Sequence, residues 1–300
     1  MRPALATAGR HRYKRDMVTL ETAERLIALS RPRGGLRGSS LILLGLSILL
    51  MAMLADPDVL GLRPPLRFLA PQAAFLGIVG VILSGIARHR RLERWAFQVF
   101  EAALLREWDR AEPLLVRLLS SPVRHPQMRA ELLLGLASVA EAQQEYSAAQ
   151  RIYESILGDQ AGDPLQLHTA RVMLASAMLR TGQLTDAVAL LDRLARADLP
   201  EPLKAQVELI ALLREVILGQ AQDNLALADR RRRLFRDHLG TRAGYGYGLL
   251  AAAYDRADQP DAARRLWHDA TLLIRPGELL QRFRELEPLA GKYPEAEMAL

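Results

Sequence analysis

The chain has 300 residues, half of them apolar and a quarter charged, with a net charge of +6 and no cysteine. That is enough for one or two domains with a packed core. Disulfides, thiolate metal sites and cysteine nucleophiles are excluded. Lysine occurs only at 14, 204 and 292, so arginine supplies 37 of the 40 basic residues, a skew associated with GC-rich bacterial genomes. The positive charge is uneven. Residues 1–94 carry 15 Lys/Arg and 6 Asp/Glu, whereas residues 95–300 carry 25 and 28. The larger part is therefore mildly acidic, which argues against nucleic acid, because phosphate contacts need a basic face.

Residues 1–37 read as a basic tail with nine basic and three acidic residues. A cytoplasmic tail and an Arg-rich mitochondrial presequence both fit. Within Asp16–Ser30, Leu20, Ala23 and Ile27 fall at helical spacing, consistent with a short helix lying along headgroups or with a weakly helical tail.

Two uncharged runs follow, Gly38–Ala55 and Phe68–Ala87, of 18 and 20 residues. A span needs about 20 mostly apolar residues, so each is expected to cross a bilayer. A cleaved signal peptide is disfavoured, because the basic region is long and no small-x-small site follows the first run. The connector 56–67 holds Pro57, Gly61, Pro64 and Pro65, which stop a helix. Its charges balance, whereas both outer flanks are basic, so both termini are expected in the cytoplasm. Ala73-xxx-Gly77 and Gly80-xxx-Ser84 in the second run permit close helix contact, within the hairpin or between copies. Neither run contains an ionisable residue, which argues against an ion pathway. Arg88, Arg90, Arg91 and Arg94 can meet anionic headgroups through long stems.

From Trp95 the pattern becomes amphipathic helices with a repeat. WDRAEPLL (108–115), YSAAQRIY (146–153), LTDAVALL (184–191) and QPDAARRL (259–266) align on Ala111, Ala149, Ala187 and Ala262. The intervals are 38, 38 and 75 residues. A fourth, degenerate unit is expected near Leu225, in DNLALADR. Each unit reads as helix A, a tight turn, and helix B. The turns contain Gln144–Glu145, Thr181–Gly182 and Asp258–Gln259, and prolines at 122, 126, 164, 200, 202 and 276 separate units.

The third unit carries Leu174-Ala175, Met178, Gly182, Ala187, Leu191 and Pro200. The second carries Leu136-Ala137, Ala140, Tyr146, Ala149, Tyr153 and Pro164, and the first Trp95, Trp108, Ala111 and Pro122. Over residues 92–276 this resembles the tetratricopeptide repeat family, with units of about 38 residues in place of 34. The expected fold class is all-α: two transmembrane helices, then a helix-pair α-solenoid of about five pairs over 88–276, then a capping helix and tail over 277–300.

The resemblance implies a concave groove that holds a protein segment. Glu131, Leu134, Ser138, Glu141, Val172, Ser176, Arg180, Tyr247, Tyr254 and Asp255 are its candidate lining, with Ala251. The family's asparagine–lysine carboxylate clamp cannot be assembled, since Asn224 is the one asparagine and lies outside any helix A.

Chemistry is sparse. The six histidines form no HExxH or i,i+4 pair, so no metal or cofactor is expected. Gly244–Gly248 (GYGYG) lacks the GxGxxG spacing and has no strand before it, and it reads as structural, with Tyr247 and Tyr254 as peptide contacts. Arg230–Arg233, with Arg236, point around the whole helix and read as a solvated face or as a contact for acidic protein or anionic headgroups. The sequence thus suggests a non-enzymatic, membrane-anchored adaptor at the cytoplasmic face, or a self-associating membrane assembly, with no nucleic acid.

Overall fold

Pro126, Pro164 and Pro202 recur at 38-residue intervals, and each lies in the first turn of a helix. Proline suits that turn, because the first N–H groups have no intrahelical partner and its φ is already set. These prolines therefore start helix A of successive pairs as well as separating units.

The computed structural model describes residues 18–32, 45, 47–48 and 64–294, apart from 106, 124 and 161. Among the described residues all regular structure is helical. In order it comprises α1 (Leu20–Ser30), α2 (Pro64–Leu104), α3 (Trp108–Leu119), α4 (Pro126–Ala142), α5 (Tyr146–Gly158), α6 (Pro164–Arg180), α7 (Leu184–Ala195) and α8 (Glu201–Leu218). Then come a 3-10 turn (Ala221–Leu227), α9 (Ala228–His238), α10 (Ala243–Arg256), α11 (Pro260–Leu273), α12 (Pro276–Arg282) and α13 (Glu287–Lys292). The chain divides into two units, one with residues up to 28 and from 125 onward, the other with 29–124.

In the second unit α2 is one continuous helix of 41 residues, so the expected boundary at 87/88 is not a break in secondary structure. Pro64 and Pro65 open it. Its C-terminal part pairs with α3, where Val99, Ala102, Ala111, Leu115 and Leu119 are buried and the Arg117 guanidinium lies 4.4 Å from the Trp95 ring centre. Among the described residues, no helix is long and apolar enough to cross a membrane. Most of the first uncharged run lies outside the described residues, and the side chains of the second are described only in part. Of those described, Phe75, Leu76, Ile82, Leu83 and Ile86 are 46–67 % exposed.

In the first unit four helix pairs follow one another: α4/α5, α6/α7, α8/α9 and α10/α11. Helix A of each ends in a residue of positive φ, at Gln144, Gly182, Gly219 and Asp258. The next N–H then bonds back five residues: Glu145 to Ala140, Gln183 to Met178, Gln220 to Glu215, and Gln259 to Tyr254. This closes each helix by satisfying a carbonyl its last turn leaves open.

Ala149 and Ala187 are fully buried as the fourth residue of their B helices. In α11 that place belongs to Ala263, fully buried, while Ala262 is half-buried. The expected alignment on Ala262 is therefore one residue early, and Ala263 stands twice 38 residues after Ala187.

The fourth pair departs further. The expected fourth unit is the pair α8/α9, with Leu225 in the connection between its helices. Residues 221–227 form the 3-10 turn, and α9 starts at Ala228. Its fourth residue is Arg231, which forms two 2.7 Å bonds to Glu215 and one of 3.2 Å to Glu208. Arg230, Arg232 and Arg233 are exposed, but Arg231 is buried, so the arginine run is not wholly a solvated face.

Helix α1 corrects the reading of the tail. Val18, Ala23, Leu26 and Ile27 are buried. Apart from Leu20, which is exposed, the apolar face is therefore covered by protein and not laid along headgroups. Thr19 opens the helix, its hydroxyl accepting from the Thr22 N–H.

Candidate functional site

The A helices α4, α6 and α10 carry the residues expected to line a groove. The chain's own C-terminal segment meets several of them. Residues 276–293 do not form one capping helix. Pro276 starts α12, Phe283 is extended at φ −131°, a 3-10 turn covers Arg284–Leu286, and Pro288 sits in the first turn of α13. The apolar side of this segment is buried at Leu279, Phe283, Leu286, Leu289 and Tyr293. Its polar side reaches helices more than a hundred residues earlier.

Arg282 bonds the Glu141 carboxylate at 3.1 Å, and Glu141 also accepts from the Tyr153 hydroxyl at 3.1 Å. Burial pushes the Glu141 carboxyl above its ordinary range, against the pull of Arg282 and Tyr153. Arg180 binds both Glu285 oxygens, at 2.8 and 3.1 Å, and donates to the Arg282 carbonyl at 2.8 Å. Its guanidinium lies 5.0 Å from the Phe283 ring centre and 5.8 Å from that of Tyr146, within the range of cation–π attraction. At the end of α4, Gln144 donates to the Gln281 carbonyl while Gln281 donates to the Ala142 carbonyl. On α10, Asp255 accepts from Lys292 at 2.6 Å and from the Tyr293 hydroxyl at 2.7 Å.

Among the expected lining residues, Glu141, Arg180 and Asp255 are thus brought together by one segment. Glu131 stays exposed and accepts from Gln166 at 3.1 Å. Leu134, Ser138 and Ser176 are half-buried, and the Ser138 hydroxyl is turned back to the Leu134 carbonyl. Val172 and Ala251 are fully buried, as core residues. Tyr247 is also buried. Tyr254 lines a cavity of about 330 Å³ with Asp229, Arg232, Arg265 and His268, in which Arg232 pairs with Asp269.

The aromatic residue of α10 that meets the segment is Tyr245. Its hydroxyl donates to Glu278 at 2.6 Å, its ring meets Phe283 edge-on, and Arg282 lies over it. Tyr245 stands two residues before Tyr247, some 200° around the helix, so choosing the wrong tyrosine selects the wrong face. The glycines between them are packing residues. A Cβ on Gly246 would lie 2.2 Å from the Phe235 ring, one on Gly244 2.9 Å from Ile274, and one on Gly248 3.0 Å from Leu286. GYGYG thus lets three neighbours close on α10.

The chain matches no known family model, curated protein or solved structure.

Among the described residues, no group of three or more His, Asp or Glu is placed to hold a metal ion. What the site offers is recognition: one buried carboxylate, one half-buried arginine and three tyrosines arranged around an irregular segment of arginine, phenylalanine and glutamate.

Proposed function

We propose that this chain is a membrane-anchored scaffold or adaptor, in which two membrane spans hold a tetratricopeptide-like helix-pair solenoid at the cytoplasmic face and the solenoid binds a protein segment. The observation that carries the anchoring is the row of exposed apolar residues on α2, from Phe75 to Ile86. They lie in a 20-residue uncharged run. Exposed apolar surface on this scale marks a partner or a lipid phase, and the arginines that follow, of which Arg90 and Arg94 are exposed, suit anionic headgroups. Because the same helix continues to Leu104, the anchor leads directly into the first helix pair.

The segment-binding part draws on the seat of residues 276–293. The A-helix faces hold an irregular stretch through alternating charged and aromatic contacts, the kind of contact an extended peptide makes. Anchoring confines both partners to a thin layer and raises their effective concentration.

Gly80 supports a second reading, self-association, because a side chain there would meet nothing within 4 Å and small residues favour close helix contact.

Alkaline carbonate extraction of the native membrane tests the anchor, and photo-crosslinking from exposed Glu131 and half-buried Tyr254 tests the solenoid. Retention in the membrane with one foreign protein captured at fixed stoichiometry is expected. Extraction by carbonate would end the anchoring reading. Capture of the chain alone would shift the function to self-association.

A further inference from the structure

Helix α1 precedes both uncharged runs in the chain, yet its residues up to Ala28 belong to the unit that resumes at His125. Two long side chains, Arg129 of α4 and Gln143 just past that helix, pin the ends of α1. The Gln143 side-chain oxygen accepts the Val18 N–H at 2.8 Å, just ahead of the first turn. The Arg129 guanidinium donates to the Ile27 carbonyl at 3.3 Å in the last turn. Between them Arg151 of α5 pairs with Glu24 at 3.4 Å. A helix leaves N–H groups open at its start and carbonyls open at its end, and a cation is favoured at the carbonyl end. Arg129 is therefore chemically matched to this place. It is also built in: its side chain is 3 % exposed, and Asp159 holds it at 2.8 Å.

We infer that α1 is a same-side latch, joining the chain ahead of the hydrophobic pair to the helix pairs behind it, so that the two uncharged runs cross the bilayer out and back. This rests on the anchoring reading. The physical step is short. A hydrocarbon core of about 30 Å separates the two faces of a membrane, so a single crossing would leave α1 and α4 on opposite sides, where Arg129 could not reach Ile27. Two crossings return the chain to its starting face. The buried arginine on the helix end requires that α1 and α4 share one face, and under the anchoring reading two crossings supply that.

The native absence of cysteine makes the test direct on the full-length chain in sealed vesicles. Single variants Glu24→Cys, Arg151→Cys and Gly61→Cys are probed with an impermeant maleimide. The double variant Glu24→Cys/Arg151→Cys is treated with a short permeant bis-maleimide. The expected result is that positions 24 and 151 label from one side and position 61 from the other, and that the double variant cross-links within one chain. Adding Arg129→Ala should lower the cross-link yield severalfold, and Arg129→Lys should retain part of it. Opposite-sided labelling of 24 and 151 in a carbonate-resistant chain would overturn the latch and leave the anchor standing. Labelling of all three from one side would overturn the out-and-back crossing. Release of the chain by carbonate would remove the anchoring reading itself.

Discussion

Arg231 grips Glu215 through two parallel bonds of 2.7 Å, with both side chains 5 % exposed. The arginine occupies the place in its helix that alanine occupies in α3, α5, α7 and α11. A small side chain there lets helices approach directly. An arginine must instead be satisfied, and Glu215 and Glu208 of α8 supply the charge.

Removing one partner of a buried pair leaves the other desolvated, at a typical cost of 3–5 kcal/mol. Arg231→Met is therefore expected to lower stability by about that amount, and Arg231→Met/Glu215→Leu to recover most of it. Denaturant unfolding of the full-length chain, followed by the fluorescence of buried Trp267 in α11, measures both. Equal losses in the single and double variants would mean that the pair is not a coupled unit.

The register of the last B helix gives a second expectation. Ala263→Leu places a large side chain at a fully buried position, where overpacking costs about 1–3 kcal/mol. Ala262→Leu alters a half-buried position and should cost clearly less. Thermal melting of the two variants side by side distinguishes them, and the opposite order would restore the alignment on Ala262.

The two carboxylates that hold the C-terminal segment have opposite pH linkage. Burial raises the Asp255 carboxyl, but the bonds from Lys292 and Tyr293 outweigh it and hold it below its ordinary 3.8. Its contribution is present above that value and lost as pH falls through the lowered one. Glu141 is raised above its ordinary 4.5, chiefly by burial, so its folded form binds the proton more tightly than the unfolded chain. Stability then declines as pH rises through the interval above 4.5. In melting curves taken between about pH 3 and 7, Asp255→Asn should remove part of the acid loss and Glu141→Gln should flatten the decline above it. Unchanged profiles in both variants would mean that neither group titrates with folding.

Much of the helix-pair pattern was legible because it is local. The turns at Gln144, Gly182 and Asp258 are marked by sequence neighbours, and all three adopt positive φ. The alanine register slipped by one at QPDAARRL because Pro260 is the first helical residue, not the residue before it. The register of the fourth B helix was illegible because Arg231 replaces the alanine that the period tracks and a 3-10 turn displaces it. Glu141, Arg180 and Asp255, which meet the C-terminal segment, were reached by counting along A helices. Tyr245, Arg282 and Phe283 were not, since pairing across a hundred residues leaves no period. The one available signal was the alternation in Gln281–Leu286, and it says what the segment offers without saying where it docks.

The bonds from Val18 to Gln143 and from Gln281 to Ala142 span 125 and 139 residues. An array of repeats with nearest-neighbour contacts alone can fray from either end and unfold stepwise. Here α1 and the C-terminal segment, from opposite sides of the array in sequence, are both fastened to the same early pair, so the array is more than a string of neighbours. The closing contacts wait for distant segments to meet, which slows folding relative to a purely local array. During synthesis α1 emerges before its seat on α4 exists, and the C-terminal segment emerges after every helix it meets. The finished unit is thus closed by α1 and the C-terminal segment, both of which bond to α4 or the residues just after it.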